Sequence, residues 1–316
     1  MSSERVVVVA DPIDREALSR LKGGPCRVVD ASADPSTLPT HLADAWGLIV
    51  RSRTKVTADL LTKAPHLELV ARAGVGVDNI DMAATAARGI RVVNAPSAAT
   101  QSVAELTIAL YLLLVRGLYP SISATKAGKW ERGTHGRELS GKTVGFVGYG
   151  RIARDVARRL APFGVKLLAY DPFVPTTADG TEMVPLEALL ERADIVSLHA
   201  AVTAENHHLL DAPAFGRMKP GAFLVNVARG ALVDEAALLA ALASGRLAGA
   251  ALDVFEVEPP MNRELLAHPN VIPTPHLGAS THDAQARAGT DTVDEVLRAL
   301  RGSPLTALVA APGGAR

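Results

Sequence analysis

Residues 143–153 read Thr-Val-Gly-Phe-Val-Gly-Tyr-Gly-Arg-Ile-Ala, and this stretch decides the fold of the chain. A short apolar strand runs into the pattern Gly148-x-Gly150-x-x-Ala153, and a helical pattern follows at once. Glycines between a strand and a helix let the backbone approach a pyrophosphate, which the helix N-terminus then binds. Because the next strand ends in an acid, Asp171, the segment predicts a dinucleotide-binding βαβ unit.

The acid at Asp171 also indicates which dinucleotide fits. A carboxylate accepts hydrogen bonds from the ribose hydroxyls but repels a 2′-phosphate. The residues that follow, "PFVPTT", contain no Arg or Lys that could offset this repulsion. The sequence therefore predicts NAD rather than NADP as the cofactor.

On both sides of this stretch, short β-branched runs alternate with helical patterns, which is typical of parallel α/β sheets. One such unit is predicted within residues 5–95 and a second, larger doubly wound sheet begins at Thr143. Between them, residues 102–130 predict one long helix that is apolar on most of its surface. Such a helix is either an ordinary core helix or is covered by a second subunit.

Composition excludes several classes of protein. The 316 residues are 48% hydrophobic and carry 33 basic and 33 acidic side chains, so no net field favours nucleic acid or a membrane surface. A single cysteine, Cys26, excludes an intramolecular disulfide framework and a thiolate metal cluster. The N-terminal apolar run is predicted to be a first strand and not a signal peptide. We therefore expect a cytoplasmic protein.

Three successive strands of the second sheet are each followed by a polar side chain that suits proton and hydride transfer: Arg229, Glu258 and His276. Ligands of open parallel sheets bind beyond the carboxyl ends of the strands, so these side chains are expected to converge. His276 can exchange a hydroxyl proton, and Glu258 can fix its tautomer. Arg229 can bind a carboxylate and stabilise a developing oxyanion.

Other polar residues are predicted to have plainer roles. His207, His208 and Asp211 suggest a metal at first sight, but they lie in a polar loop without an evident third ligand, so no metal site is predicted. Asp253 ends the apolar run "LAGAALDVF" and is expected near the nicotinamide end of the cofactor. Glu256 is expected to be a solvated bystander.

Several blocks of this chain resemble the D-isomer-specific 2-hydroxyacid dehydrogenases, and among them most closely the D-3-phosphoglycerate dehydrogenases. They include "VARAGVGVDNID", "ELSGKTVGFVGYGRIA", "NVARGALVDEAAL", "AGAALDVFEVEPP" and "TPHLGAST", in the order of that family. The resemblance implies an α/β protein with two doubly wound parallel sheets. A Rossmann NAD-binding domain at 97–283 would be inserted in a flavodoxin-like substrate-binding domain made of 1–96 and 284–316.

The resemblance also implies roles for single residues. Arg229, Glu258 and His276 match the catalytic arginine, glutamate and histidine of the family. The cofactor contacts carry over onto Gly148, Gly150, Arg151, Ile152, Asp171, Ala200, Val227, Ala228, Asp253, Gly278 and Ala279. The segment from about Ser102 through "GKWERG" matches the dimer contact, which implies a homodimer or an oligomer built from dimers.

For the substrate, the resemblance implies a D-2-hydroxy acid, with 3-phosphoglycerate oxidised to 3-phosphohydroxypyruvate in serine biosynthesis as the first candidate. The residues that would bind it are Arg51, Arg53, Arg72, Val75, Gly76 and Arg132. The serine-sensing domain of longer members does not follow in these 316 residues, so inhibition by serine through it is not expected.

Three alternatives stay open. Ala99 stands where family members often carry asparagine, which leaves hydroxypyruvate, glyoxylate or another small 2-keto acid as the substrate. A nucleotide-sensing binding protein related to a corepressor is an alternative from another class. Formate dehydrogenase fits less well, because that relative has glutamine where this chain has Glu258.

Overall fold

A computed structural model describes residues 4–130, 132 and 135–309. The chain divides into two compact units. Unit 1 comprises 1–99 and 279–316, and unit 2 comprises 100–278. The boundaries expected from sequence, at 96/97 and 283/284, lie a few residues from the boundaries between the two units, at 99/100 and 278/279.

Unit 1 is built on a five-stranded parallel sheet with the strand order β2-β1-β3-β4-β5, the flavodoxin-like order. Its strands are β1 (Val6–Val9), β2 (Arg27–Asp30), β3 (Ala45–Val50), β4 (Leu69–Arg72) and β5 (Arg91–Asn94). The helices between them are α1 (Arg15–Lys22), α2 (Leu38–Leu42), α3 (Ala58–Thr62) and α4 (Met82–Ala87).

Alternate residues of the central strand β1 enter different cores. Val6 and Val8 belong to one buried cluster, whereas Val7 and Val9 belong to another. Because helices cover both faces of a parallel sheet, both sets of side chains are buried, and the strand is a continuous apolar run in the sequence. This burial explains why such strands were predictable from the sequence.

Unit 2 contains a seven-stranded parallel sheet with the order β12-β11-β10-β9-β6-β7-β8, a Rossmann order extended by one strand. Its strands are β6 (Thr143–Val147), β7 (Lys166–Tyr170), β8 (Glu182–Met183), β9 (Ile195–Leu198), β10 (Ala222–Asn226), β11 (Leu247–Leu252) and β12 (Val271–Pro273). Its helices are α5 (Thr100–Val115), α6 (Leu118–Lys126), α7 (Arg151–Leu160), α8 (Leu186–Arg192), α9 (Ala212–Arg217), α10 (Glu235–Ala243) and α11 (Arg263–Ala267).

The single long helix predicted over 102–130 is wrong. The chain forms α5 and α6 instead, and the two helices are bent by 71°. Gly117 between them adopts a left-handed conformation with φ of +57°, which ends α5 and redirects the backbone. Pro120 then lies in the first turn of α6, where its missing N–H costs no helical hydrogen bond.

Helix α12 (His282–Leu300) returns the chain to unit 1, where it packs on α1 and against β4 and β5. The segment after it continues along β5, since Leu308 pairs with Val93 in an antiparallel bridge and the N–H of Val309 donates to the carbonyl of Val92. Among the described residues, no single helix is long and apolar enough to cross a membrane. Only the bent pair α5 and α6 passes that test together, by length and composition alone.

Candidate active site

The glycine-rich turn lies where the order of the sheet reverses, between β6 and its neighbours β7 and β9. Gly148 has φ of +87°, and a Cβ there would come 2.6 Å from the backbone nitrogen of Ala200. Gly150 precedes the first residue of α7, and a Cβ at Gly150 would meet no atom within 4 Å. The turn therefore leaves open space in front of a helix N-terminus that no described side chain caps. Arg151 and Ile152 open that helix.

Asp171 lies directly beside this turn, at the carboxyl end of β7. One of its carboxylate oxygens accepts the backbone N–H of Tyr149 at 2.8 Å, and the other accepts that of Phe173 at 2.9 Å. Each carboxylate oxygen has a second lone pair, so Asp171 keeps acceptor capacity while its orientation is fixed. Open space at the helix and an oriented acid beside it fit the pyrophosphate and ribose of NAD.

Asp253 has an environment that the sequence did not suggest. Its side chain is 1% exposed, and from the described residues it accepts hydrogen bonds of the Thr274 hydroxyl (2.7 Å) and of the N–H groups of Leu277 (2.7 Å) and Gly278 (2.8 Å). These three donors stabilise the buried carboxylate. Asp253 therefore fixes the loop that carries His276, and its contact with the cofactor stays a prediction.

Glu258 and His276 are in direct contact. The Nδ1 atom of His276 lies 2.9 Å from Oε2 of Glu258, whose Oε1 accepts the N–H of Phe255 at 3.2 Å. His276 has φ of +54°, and its own N–H donates to the carbonyls of Asp253 and Thr274. The side chains of His276 and Glu258 are 51% and 40% exposed, respectively.

Arg229 follows β10, the strand next to β11, and lies half-buried. Buried Asn226 shapes its turn, because the side-chain amide donates to the carbonyl of Arg229 and its oxygen accepts the N–H of Ala228. The next residue, Gly230, packs against the backbone of Phe255, where no Cβ would fit. The Arg229 turn and the segment leading to Glu258 are thereby in contact.

The remaining predicted cofactor residues of unit 2 lie at this same edge of the sheet. Val227 and Ala228 are buried after β10, and the backbone of Ala200 packs on Gly148. Gly278 leaves room for Asp253, since a Cβ would lie 3.2 Å from its carboxylate. Ala279, which opens the second segment of unit 1, is exposed.

In unit 1, Arg53 does more than the sequence suggested. Its guanidinium binds the buried carboxylate of Asp11 at 3.1 Å and donates to the carbonyls of Ala10 and Ser32. Burial by itself raises the pKa of Asp11, but hydrogen bonds from Thr54, Arg51 and Arg53 outweigh it and hold the pKa below its ordinary value. Arg53 therefore has a structural role, whatever it binds in addition.

The other predicted substrate residues have looser surroundings. Arg51 donates to the carbonyl of Pro12 at 3.3 Å, and Arg72 lies against Gly74, where a Cβ would collide with its guanidinium. Asn94 holds the turn at Val75 and Gly76 by donating to the carbonyl of Val75 at 2.6 Å. Arg132 is exposed, and its neighbours Glu131 and Gly133 in "GKWERG" lie outside the described residues.

Sequence reasoning missed Asp11, Asn226 and Gly230, which support these residues without matching a motif. Asn226 was the easiest to find, because it is a polar residue within the apolar run "FLVNVA". Asp11 and Gly230 make their contacts with residues distant in the chain, and local patterns carry no signal of such pairing.

Comparison with known proteins agrees with this geometry. Residues 108–278 match the family model described as D-isomer specific 2-hydroxyacid dehydrogenase, NAD binding domain. The chain is 43% identical over 310 residues to human D-3-phosphoglycerate dehydrogenase, covering 96% of this chain and 58% of that protein. It is 41% identical over 299 residues to a hydroxypyruvate reductase from Thermotoga maritima, covering 93% and 98%.

Among solved structures, an NADPH-dependent glyoxylate/hydroxypyruvate reductase from Sinorhizobium meliloti, in complex with NADP and malonate, has a TM-score of 0.86. It is 33% identical, and the match covers 99% of each chain. The predicted α/β fold with two parallel sheets is confirmed by this likeness and by the two sheets themselves. The chain therefore belongs to the D-isomer specific 2-hydroxyacid dehydrogenase family and carries its NAD-binding domain.

Proposed function

We propose that this chain is an NAD-dependent dehydrogenase that transfers a hydride between nicotinamide and C2 of a D-2-hydroxy acid. The observation that carries the proposal is the contact between Nδ1 of His276 and Oε2 of Glu258, 2.9 Å apart at the carboxyl edge of the unit 2 sheet. An imidazole held in one tautomer by a carboxylate is a proton acceptor suited to a hydroxyl group.

NAD, when bound, supplies the carbon that accepts the hydride or returns it. The glycine turn at 148–150 and the N-terminus of α7 would hold its pyrophosphate, and Asp171 would accept hydrogen bonds from its ribose hydroxyls. A 2′-phosphate would meet the negative charge of Asp171 without a nearby cation in "PFVPTT", which favours NAD over NADP.

His276 would transfer the proton, and Glu258 would hold the imidazole in the required tautomer. When Nδ1 carries the proton and donates a hydrogen bond to Glu258, the other ring nitrogen, Nε2, keeps a lone pair. Nε2 would take the proton of the substrate hydroxyl as the hydride leaves C2, and would return it in the reduction. Glu258 stabilises the imidazolium that forms in between, and the loop held by Asp253 keeps the ring in place.

Arg229 would provide the positive charge in this site. Its planar guanidinium can bind the substrate carboxylate with two hydrogen bonds, and it favours negative charge on the oxygen at C2. Support comes from its position after β10, with its turn held by Asn226 and packed on the segment that leads to Glu258.

For the substrate, 3-phosphoglycerate is the first candidate, which would place the reaction in serine biosynthesis. It is supported by the identity to D-3-phosphoglycerate dehydrogenases, although the chain spans only 58% of the human relative. Arg51, Arg53 and the partner subunit's Arg132 would bind the phosphate, and the backbone of Arg72, Val75 and Gly76 would bind the carboxylate. Arg51 is a better candidate for the phosphate than Arg53, because Arg53 already forms an ion pair with Asp11.

Hydroxypyruvate or glyoxylate is the second candidate, and one observation favours it. The hydroxypyruvate reductase of Thermotoga maritima is matched over 98% of its length. Ala99 also replaces the polar side chain that family members often present.

Steady-state kinetics with NADH would decide between these functions. The panel is phosphohydroxypyruvate, hydroxypyruvate, glyoxylate and pyruvate. We expect turnover with at least one acid, and the highest kcat/KM for phosphohydroxypyruvate. A higher value for an unphosphorylated acid would assign the second candidate, and no turnover with any acid would favour the nucleotide-sensing protein.

The variant Arg51→Ala tests the phosphate site, with Arg27→Ala as an exposed-arginine control from the same unit. Loss of one phosphate contact should raise KM for phosphohydroxypyruvate about 10-fold, which corresponds to roughly 1.4 kcal/mol of binding free energy. The KM for hydroxypyruvate should change little. Equal effects on both substrates would remove Arg51 from the phosphate site. Arg53→Ala is a poor test, because it also leaves Asp11 without its cation.

A homodimer formed through α6 is part of the proposal. None of the residues of α6 is buried, and the helix exposes Leu118, Tyr119 and Ile122. Trp130, a few residues further on, is 80% exposed. Large apolar side chains grouped in this way favour a protein partner. A cytoplasmic location is likewise inferred, from the composition of the chain.

A further inference from the structure

Two loops of unit 2 that are far apart in the chain bring two histidines and a glutamate together. His207 and His208 lie between β9 and α9, and Glu256 follows β11. Nε2 of His208 lies 2.7 Å from Oε1 of Glu256, and Nε2 of His207 lies 3.9 Å from the same oxygen. One ligand atom from each residue falls within 4.8 Å of the others.

The third member of this cluster is not the residue that the sequence suggested. Asp211 caps α9 by accepting the N–H of Ala214, so its carboxylate is used locally. Glu256 was expected to be a solvated bystander; its side chain is exposed, as expected, but its carboxylate also contacts His208. The pairing spans 48 residues, which is why the spacing of the histidines could not reveal it.

Both sides of the cluster are fixed to the segment that leads into α10. His208 has φ of +51° and donates its N–H to the carbonyl of Ala231 at 2.8 Å. The N–H of Glu256 donates to Oε1 of Glu235, the first residue of α10, at 2.9 Å. The ring centroids of His207 and His208 lie 4.1 Å apart. The donor atoms are therefore held close together before any ion binds.

We propose that His207, His208 and Glu256 form a divalent transition-metal site suited to Zn²⁺. Two imidazoles and one carboxylate are a donor set that binds zinc, whereas Mg²⁺ and Ca²⁺ prefer oxygen ligands alone. The second carboxylate, Glu235, adds negative charge beside the site. All three ligands are partly exposed, so water completes the coordination of the ion.

Zinc at this site would join the loop at 206–210 to the segment that carries Glu258, two residues after Glu256. That segment contacts His276 through Glu258 and packs on Gly230. Zinc bound to Glu256 would therefore restrict the segment that positions Glu258. Zinc binding itself is independent of the proposed dehydrogenase activity.

Isothermal titration calorimetry with ZnCl₂ on the full chain, free of affinity tag and stripped with chelator, tests the proposal. We expect one Zn²⁺ per chain. Because losing even an outer-shell partner costs about 10-fold in metal affinity, His207→Ala and Glu256→Gln should each weaken binding by at least about that factor. His66→Ala, which removes an exposed histidine of unit 1, should leave the affinity unchanged.

Cobalt provides a second readout, since tetrahedral Co²⁺ absorbs visible light far more strongly than the aqueous ion. The wild-type chain should show this absorption, and His207→Ala and Glu256→Gln should lose it while keeping their circular dichroism spectra. Absence of zinc binding to the wild type would overturn the proposal. Equal binding by all four proteins would also overturn it, because the ion would then bind elsewhere.

Discussion

His276 occupies a left-handed backbone conformation that disfavours residues with a Cβ, and its surroundings keep it there. Asp253 accepts hydrogen bonds from the two residues that follow His276 and from Thr274 before it. The position of His276, the proposed proton acceptor, therefore depends on Asp253, which does not itself exchange the proton. Strained positions of this kind concentrate at functional sites, where neighbouring contacts over-determine them.

The first prediction at this scale concerns the proton acceptor. His276→Ala should lower kcat by about 100-fold or more, because general acid–base catalysis contributes at least that much. Glu258→Gln, which keeps the shape but removes the charge, should also lower kcat. Affinity for NADH, measured by fluorescence titration, should be nearly unchanged in both, and His66→Ala should match the wild type. Wild-type turnover by His276→Ala would refute the assignment.

The second prediction concerns stability against pH and rests on His199, which directly follows β9. Its Nε2 lies 2.9 Å from the hydroxyl of Ser197, and its Nδ1 is shielded from solvent without a partner among the described residues. Burial lowers the pKa of His199 from 6.5 to about 3. The unfolded chain therefore binds the proton first, and stability falls as pH drops below 6.5.

The free energy of unfolding should decline by at most about 1.4 kcal/mol per pH unit on this account, until the pH approaches 3. His199→Gln cannot take the proton, so its stability should decline less between pH 6.5 and 5, a range above the ordinary titration of carboxyl groups. Urea unfolding at several pH values measures the difference. Parallel curves for the two proteins would contradict the role of His199.

At the scale of elements, the strands were predicted well from the sequence, whereas the helical segment at 102–130 was predicted poorly, and both outcomes have physical reasons. β1, β6 and β10 are buried on both faces, so their sequences are continuous apolar runs. The residues of 102–130 are largely apolar, which predicts one continuous helix. The sequence does not show that Gly117 adopts a left-handed conformation and separates α5 from α6. The two-residue strand β8 is too short to leave a periodic signal.

The candidate site shows the same division. The glycine turn and Asp171 were predictable because they form one local pattern, and Arg229, Glu258 and His276 because each follows its own strand. The contacts of Arg53 with Asp11 and of Glu256 with His208 were not, since they join residues 42 and 48 positions apart. Such pairs are set by tertiary packing, which a single sequence does not display.

At the scale of the whole molecule, the chain passes from unit 1 to unit 2 at Ala99 and returns after Gly278. Each unit has its own parallel sheet and its own buried clusters. The predicted roles divide in nearly the same way, with the proton-transfer residues and every cofactor residue except Ala279 in unit 2, and all but one of the substrate arginines in unit 1. Helices α5 and α6 open unit 2, and α6 has no buried residue and exposes Leu118, Tyr119 and Ile122.

The proposed dimer gives the prediction at this scale. Size-exclusion chromatography with light scattering should give twice the chain mass for the wild type. Ile122→Glu places a charge on the apolar face of α6, where burying it would cost several kcal/mol, and should give the mass of one chain. Met261→Glu, which changes an apolar residue that is 78% exposed in a loop, should remain dimeric. A dimeric Ile122→Glu protein would place the interface elsewhere.

Asp253 also determines the smallest segment that would have to be moved to transplant the proposed proton-transfer pair. A protein engineer who transplants His276 into another parallel sheet would gain an imidazole on an unrestrained loop. The transplanted segment would have to extend from Asp253, which follows β11, to Gly278, which follows β12. Only then does it contain both the carboxylate and its three donors in the loop that carries His276. The two adjacent strands β11 and β12 would therefore have to be transplanted together, with their pairing register unchanged.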